Sequence, residues 1–138
     1  MVNTLDMQDL RHLNLFRKVT RISTRYCFMY NNILMFCVPR HFVSQALGKQ
    51  GENLKKLSDI LRKRIRILPL PDGVEGAKAF ISAVIAPVGF KEMAITPDEI
   101  IVTAGSEHKA ALLGRNKRRF LEMKKIVKDF FKLEYKIL

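Results

Sequence analysis

Acidic residues are scarce in this chain: 13 aspartates and glutamates stand against 25 lysines and arginines in 138 residues, a formal net charge of +12. An excess of that size points to a polyanionic partner, nucleic acid first and an anionic membrane surface second. Cysteine is scarcer still, at two, and the three histidines are scattered at His12, His41 and His108, so spacing alone offers no metal-ligand set. Cys27 and Cys37 read as buried or half-buried thiols without chemistry, in a reducing compartment. The most apolar stretch, 26–38, is short and broken by Asn31-Asn32, which excludes a membrane-spanning helix. Met1-Val2-Asn3-Thr4-Leu5-Asp6 carries no basic segment followed by an apolar one, so no leader is expected and the cytoplasm is the expected compartment. No nucleophile–base pair stands out, and Gly48-Lys49-Gln50-Gly51 lacks the Gly-Lys-Ser/Thr ending of a Walker loop. The expectation is a protein that is not an enzyme and holds no cofactor and no metal.

Hydrophobic residues make up 48% of the chain, enough for a core in one ordinary domain or two very small ones. Asp6 can cap a helix in which Leu10, Leu13, Phe16 and Val19 recur at helical spacing. Thr24 to Tyr30 and Ile33 to Val38 are rich in β-branched and aromatic residues, and Asn31-Asn32 between them tolerates positive φ and predicts a hairpin turn. In that register Cys27 faces Phe36 and Cys37 faces Tyr26. A short helix over Arg40 to Leu47 and a second over Glu52 to Lys63 flank a Gly-x-x-Gly turn; Leu54, Leu57, Ile60 and Leu61 share one face of the second. Arg64 to Leu68 is a strand.

The second half repeats this order. Asp72 is placed to cap a helix running to Pro87; Phe90 to Thr96 and Ile100 to Ala104 are strand-like; Ser106 to Leu113 and a helix ending near Phe131 flank Gly114-Arg115-Asn116-Lys117; Leu133 to Leu138 is the last strand. Asp6 and Asp72, Asn32 and Asp98, and Gly48 and Gly114 are each 66 residues apart. One constant offset through cap, hairpin and turn predicts an internal duplication of a single module, with domains 1–70 and 71–138. The charge is uneven, +9 in residues 1–70 and +3 in 71–138, so the first half is expected to dominate the electrostatic footprint.

Ala46-Leu47-Gly48-Lys49-Gln50-Gly51-Glu52-Asn53-Leu54 puts two glycines at a tight turn, a lysine at its tip and a helix N-terminus behind it, an arrangement suited to a phosphate backbone. With Leu113-Gly114-Arg115-Asn116-Lys117-Arg118 it resembles the turns of type II KH domains, and the whole chain is similar to the archaeal NusA-like transcription factors, two such domains in tandem. The resemblance implies an α+β fold: two αββααβ units, each with a three-stranded mixed sheet covered by helices on one face. It also implies single-stranded RNA held at Leu47, Gly48, Lys49, Gln50, Gly51, Asn53 and Lys55, over an apolar groove extending to Arg62, Lys63, Arg64 and Arg66. In the second unit the implied contacts are Gly114, Arg115, Asn116, Lys117 and Arg118. Lys117 stands where the second glycine belongs, so this turn is expected to be the degenerate one.

The function implied is a non-enzymatic, monomeric, cytoplasmic RNA binder in transcription termination or antitermination, with RNA polymerase as a further partner and no membrane association. The alternatives are an adaptor docking on RNA polymerase or the ribosome, and a tandem-KH protein that binds ribosomal RNA.

Overall fold

A computed structural model describes residues 6–138. Residues 1–5, which include the stretch read for a leader and the start of the expected first domain, lie outside the described residues. The described chain divides after Leu70 into two compact units, residues 6–70 and Pro71–Leu138.

The first unit begins with α1 (Met7–Thr20). Asp6 caps it: its carboxylate accepts from the Asp9 N–H at 2.8 Å, and Asp9 accepts in return from the Asp6 N–H at 3.3 Å. β1 (Tyr26–Tyr30) and β2 (Ile33–Val38) form an antiparallel hairpin whose two turn residues, Asn31 and Asn32, are both left-handed. The register pairs Cys27 with Phe36 and Cys37 with Tyr26, as the two-residue turn requires. A 3-10 turn at Arg40–Phe42 leads into α2 (Val43–Leu47); α3 (Glu52–Leu61) and β3 (Arg64–Pro69) complete the unit. β3 runs parallel to β2, giving the mixed order β1-β2-β3.

Leu34, Phe36 and Val38 of β2 and Ile65 and Ile67 of β3 share one core with Leu13 and Phe16 of α1, Ala46 of α2 and Leu57 of α3. Phe16 stacks on Phe36 with ring centroids 4.5 Å apart. Two positions of the expected apolar stripes are exposed, Leu10 on α1 and Ile60 on α3. On α1 the buried places go to His12, Leu13, Phe16 and Thr20.

The second unit repeats the order with α4 (Ala77–Ile85), β4 (Glu92–Ile95), β5 (Glu99–Thr103), α5 (Ser106–Leu113), α6 (Arg118–Phe131) and β6 (Glu134–Ile137), and its sheet again has mixed order, β4-β5-β6. Its core gathers Phe80, Ile81, Val84 and Ile85 of α4, Ile100 and Val102 of β5, Leu112 of α5, and Met123, Ile126, Val127 and Phe131 of α6. Asp72 does not cap α4. The helix is entered through Gly73 and a 3-10 turn at Val74–Gly76, with no side-chain cap. That insertion puts Asp72 too far from the first helical N–H groups.

The offset of 66 residues holds to the start of α6 and then becomes 70: Ile33 pairs with Arg64 in the first sheet and Glu99 with Glu134 in the second. The difference is helical, since α3 has 10 residues and α6 has 14.

Candidate nucleic-acid interface

In each unit the short helix stops at a glycine that only glycine accommodates easily. Gly48 lies at φ 80°, ψ 174° and Gly114 at φ 75°, ψ 173°, a region essentially reserved for that residue. A Cβ at Gly48 would come within 2.9 Å of the Asn53 side chain and 3.0 Å of its backbone nitrogen; one at Gly114 would meet Arg119 Cγ at 2.8 Å. The N–H of Gly48 donates to Ser44 O at 3.1 Å and that of Gly114 to Ala110 O at 2.9 Å.

The turns then follow the same path. Gln50 and Asn116 are both left-handed, at φ 55°, ψ 29° and φ 55°, ψ 30°. The next residues are left-handed too, Gly51 at φ 72°, ψ 22° and Lys117 at φ 60°, ψ 25°. Each closes with a backbone bond of 3.1 Å, Gly51 N–H to Gly48 O and Lys117 N–H to Gly114 O. The sequence departs from the Gly-x-x-Gly pattern at Lys117, but the backbone does not. Open space surrounds a Cβ built on Gly51, which is why a side chain fits at the equivalent position of the second turn.

A side chain braces each pair of helices behind the turn. Asn53 Nδ2 donates to Gln45 O at 3.4 Å, and Arg119 Nη1, 66 residues on, donates to Ala111 O at 3.0 Å. Asn53, expected at an RNA contact, therefore ties α3 to α2. Arg119 in the same way ties α6 to α5.

Among the described residues no side chain makes a capping hydrogen bond to α3 or α6, which leaves their first N–H groups without a side-chain acceptor. Lys49, Gln50 and Lys55 are exposed, as are Arg115, Asn116, Lys117 and Arg118; Leu47, Gly48, Gly51 and Gly114 are half-buried. Charge at the two turns runs opposite to charge in the two halves. Residues 48–53 hold one lysine and one glutamate, whereas 114–119 hold Arg115, Lys117, Arg118 and Arg119 and no acid. Arg118 lies 3.9 Å from Glu122, too long for a strong ion pair.

Arg62, Lys63 and Arg64 sit at the far end of α3, about 15 Å from the turn at 1.5 Å per residue. Arg62 is the left-handed residue that stops α3, its N–H donating to Ser58 O at 2.8 Å, and Ser58 Oγ donates to Lys63 O at 2.8 Å. Arg64 and Arg66 alternate with Ile65 and Ile67 along β3 and so lie on the sheet face away from the helices. The fold thus brings the turn residues together and holds this second basic group apart from them.

The second unit also carries an open groove of about 340 Å³ lined by Leu121, Lys124, Lys125, Lys128, Asp129 and Glu134. Burial, opposed by Lys125, raises the Asp129 carboxyl above its ordinary value. Lys128 Nζ donates to Glu134 Oε2 at 3.0 Å.

Asp9, His12 and Cys27 converge in the first unit, with donor atoms within 4.8 Å of one another. Spacing gave no hint of this cluster, because it depends on how α1 packs over β1. Burial first, then the Asp9 carboxylate, pushes the Cys27 thiol up to about 12.

The crystal structure of APE1850 superposes on this chain with a TM-score of 0.65 at 19% identity, covering 96% of this chain and 99% of that one. It establishes a shared α+β fold. No family model matches the chain.

Three archaeal relatives, each called probable transcription termination protein NusA, are similar in sequence. The Methanococcus vannielii protein is 27% identical over 89 residues, 64% of this chain and 50% of its own length. That of Halococcus morrhuae is 29% identical over 84 residues, 61% and 58% respectively, and that of Thermoplasma acidophilum is 20% identical over 132 residues, 93% and 90%. The aligned part of the chain thus spans 50% and 58% of the length of the first two relatives. No helix among the described residues is long and apolar enough to cross a membrane.

Proposed function

We propose that each unit is a type II KH module, and that the protein grips single-stranded RNA at its two helix–turn–helix joints to act in transcription termination or antitermination. The observation that carries this reading is the repeated left-handed turn: two joints of the same backbone path, each followed by a helix that no side chain caps and each tipped by exposed cations. A phosphate at such a joint meets N–H groups at the positive end of a helix of 10 or 14 residues. The relatives' names supply the biological setting.

Both turns take part, because the shared backbone removes the ground for ranking the second below the first. Gly48–Gly51 offers close approach with little local charge; Gly114–Lys117 adds the stronger electrostatic attraction. The test is equilibrium binding of the full-length chain to single-stranded RNA and to a duplex of matching length, with Lys49→Asp/Gln50→Asp and Arg115→Asp/Asn116→Asp as tip variants. Preference for the single strand, reduced by each pair, is the expected result. Binding that neither pair weakens overturns it.

A further inference from the structure

The cluster of Asp9, His12 and Cys27 lies outside the turns and is not needed to explain them. Asp9 and His12 are three residues apart on α1, hence on one face of the helix, and Cys27 is on β1. One donor atom from each lies within 4.8 Å of the other two, and Cys27 Sγ is 3.8 Å from Asp9 Oδ1. His12 and Cys27 are almost wholly buried, while Asp9 is half-buried and keeps the cluster open to solvent.

A second observation concerns His12 itself. Its Nδ1 is buried and has no hydrogen-bond partner among the described residues. A buried polar atom left unsatisfied is uncommon, and it carries a desolvation penalty that a partner would remove. A cation coordinated at Nδ1 would supply that partner.

We infer that Asp9, His12 and Cys27 form a binding site for a divalent transition-metal ion of the zinc class. A thiolate, an imidazole and a carboxylate are the donor set such an ion accepts, whereas magnesium and calcium require oxygen donors alone. Tetrahedral zinc with bonds of about 2.0 Å to nitrogen and oxygen and about 2.3 Å to sulfur holds its donors about 3.3–3.5 Å apart. The 3.8 Å between sulfur and carboxylate approaches that spacing, and the three donors, all within 4.8 Å of one another, must draw together by up to about 1.5 Å to close the site. Three protein donors leave a fourth position for water. Binding displaces the Cys27 proton to solvent and involves no change of oxidation state. The ion joins the start of α1 to β1, so its action is to fasten the helix to the sheet.

The experiment titrates the full-length, chelator-treated protein with cobalt(II) as a spectroscopic probe, and then displaces it with zinc. One equivalent of cobalt is expected to give a tetrahedral visible spectrum and a thiolate-to-cobalt charge-transfer band, both lost on adding zinc. Cys27→Ser should lose the charge-transfer band, and zinc should raise the unfolding temperature of the wild type but not of this variant. Asp9→Asn, which keeps an acceptor for the Asp6 N–H and therefore the helix cap, serves if Cys27→Ser does not fold. It should bind cobalt more weakly without loss of helix. No charge-transfer band in the wild type, a band that survives Cys27→Ser, or an affinity unchanged in Asp9→Asn overturns the assignment.

Discussion

The two glycines of the first turn are expected to respond very differently to a methyl group. Gly48→Ala forces an L-residue into φ 80°, ψ 174°, which costs about 1–3 kcal/mol. It also drives a Cβ to 2.9 Å from the Asn53 side chain and 3.0 Å from a backbone nitrogen that cannot move alone, adding about 1–3 kcal/mol of overpacking. The total, about 2–6 kcal/mol, is a large part of the stability of a small domain. Gly51→Ala enters open space and meets only the left-handed penalty, about 1–2 kcal/mol. That is offset by about 0.4–1 kcal/mol because alanine restricts the unfolded chain. The reciprocal change, Lys117→Gly, should stabilise by a similar small net amount. Urea unfolding of the full-length chain, followed by far-UV circular dichroism, gives the midpoints, and unchanged slopes confirm that the surface exposed on unfolding is the same in each variant. The expected order of midpoints is Lys117→Gly above wild type, then Gly51→Ala, with Gly48→Ala well below. A Gly51→Ala variant as unstable as Gly48→Ala, or a Lys117→Gly variant less stable than wild type, refutes the argument from turn geometry.

Affinity for single-stranded RNA should fall with salt at a log–log slope steeper than about −2.8 if four or more phosphates are neutralised, as measured by fluorescence anisotropy. Arg115→Asp/Asn116→Asp should flatten that slope more than Lys49→Asp/Gln50→Asp, since the second turn holds most of the local charge. Arg119→Ala, which removes the brace to Ala111 O, should weaken RNA binding more than the loss of one exposed charge at Lys109 does, because the turn loses its support; equal effects in the two variants would argue against a brace. Asp129 has a raised carboxyl pKa, so the folded state binds its proton more tightly than the unfolded chain. Its charged form therefore opposes folding above the folded pKa, and the opposition disappears as pH falls below the ordinary 3.8. Asp129→Asn should accordingly raise the unfolding midpoint at neutral pH and lose that advantage in acid, as read by thermal melts across the range.

Legibility in the sequence followed how local each determinant is. Asn31-Asn32 set the hairpin register because both residues tolerate positive φ and two residues admit one pairing. Asp6 was readable as a cap because its partner, Asp9, is three residues away. Asp72 misled because the same residue type was judged without the extra turn that separates it from α4. Lys117 misled in the opposite sense: its side chain disfavours the left-handed region, but the Gly114 hydrogen bond and the start of α6 hold it there. The exposure of Ile60 and Leu10, and the meeting of Asp9 and His12 with Cys27, depend on how elements distant in sequence pack, and no periodicity reports that.

The four residues by which α6 exceeds α3 bear on how such a module can grow. Four residues advance a helix by about 6 Å and rotate it by about 400°, 40° past a full circle, so the apolar stripe returns nearly to its starting azimuth. β6 accordingly meets β5 in the register that β3 keeps with β2. An insertion of two residues would have turned the stripe by about 200° and carried Ile126, Val127 and Phe131 into solvent. Length in this helix is therefore tolerated in steps close to one turn, which keep the buried face towards the sheet while the helix grows along its own axis.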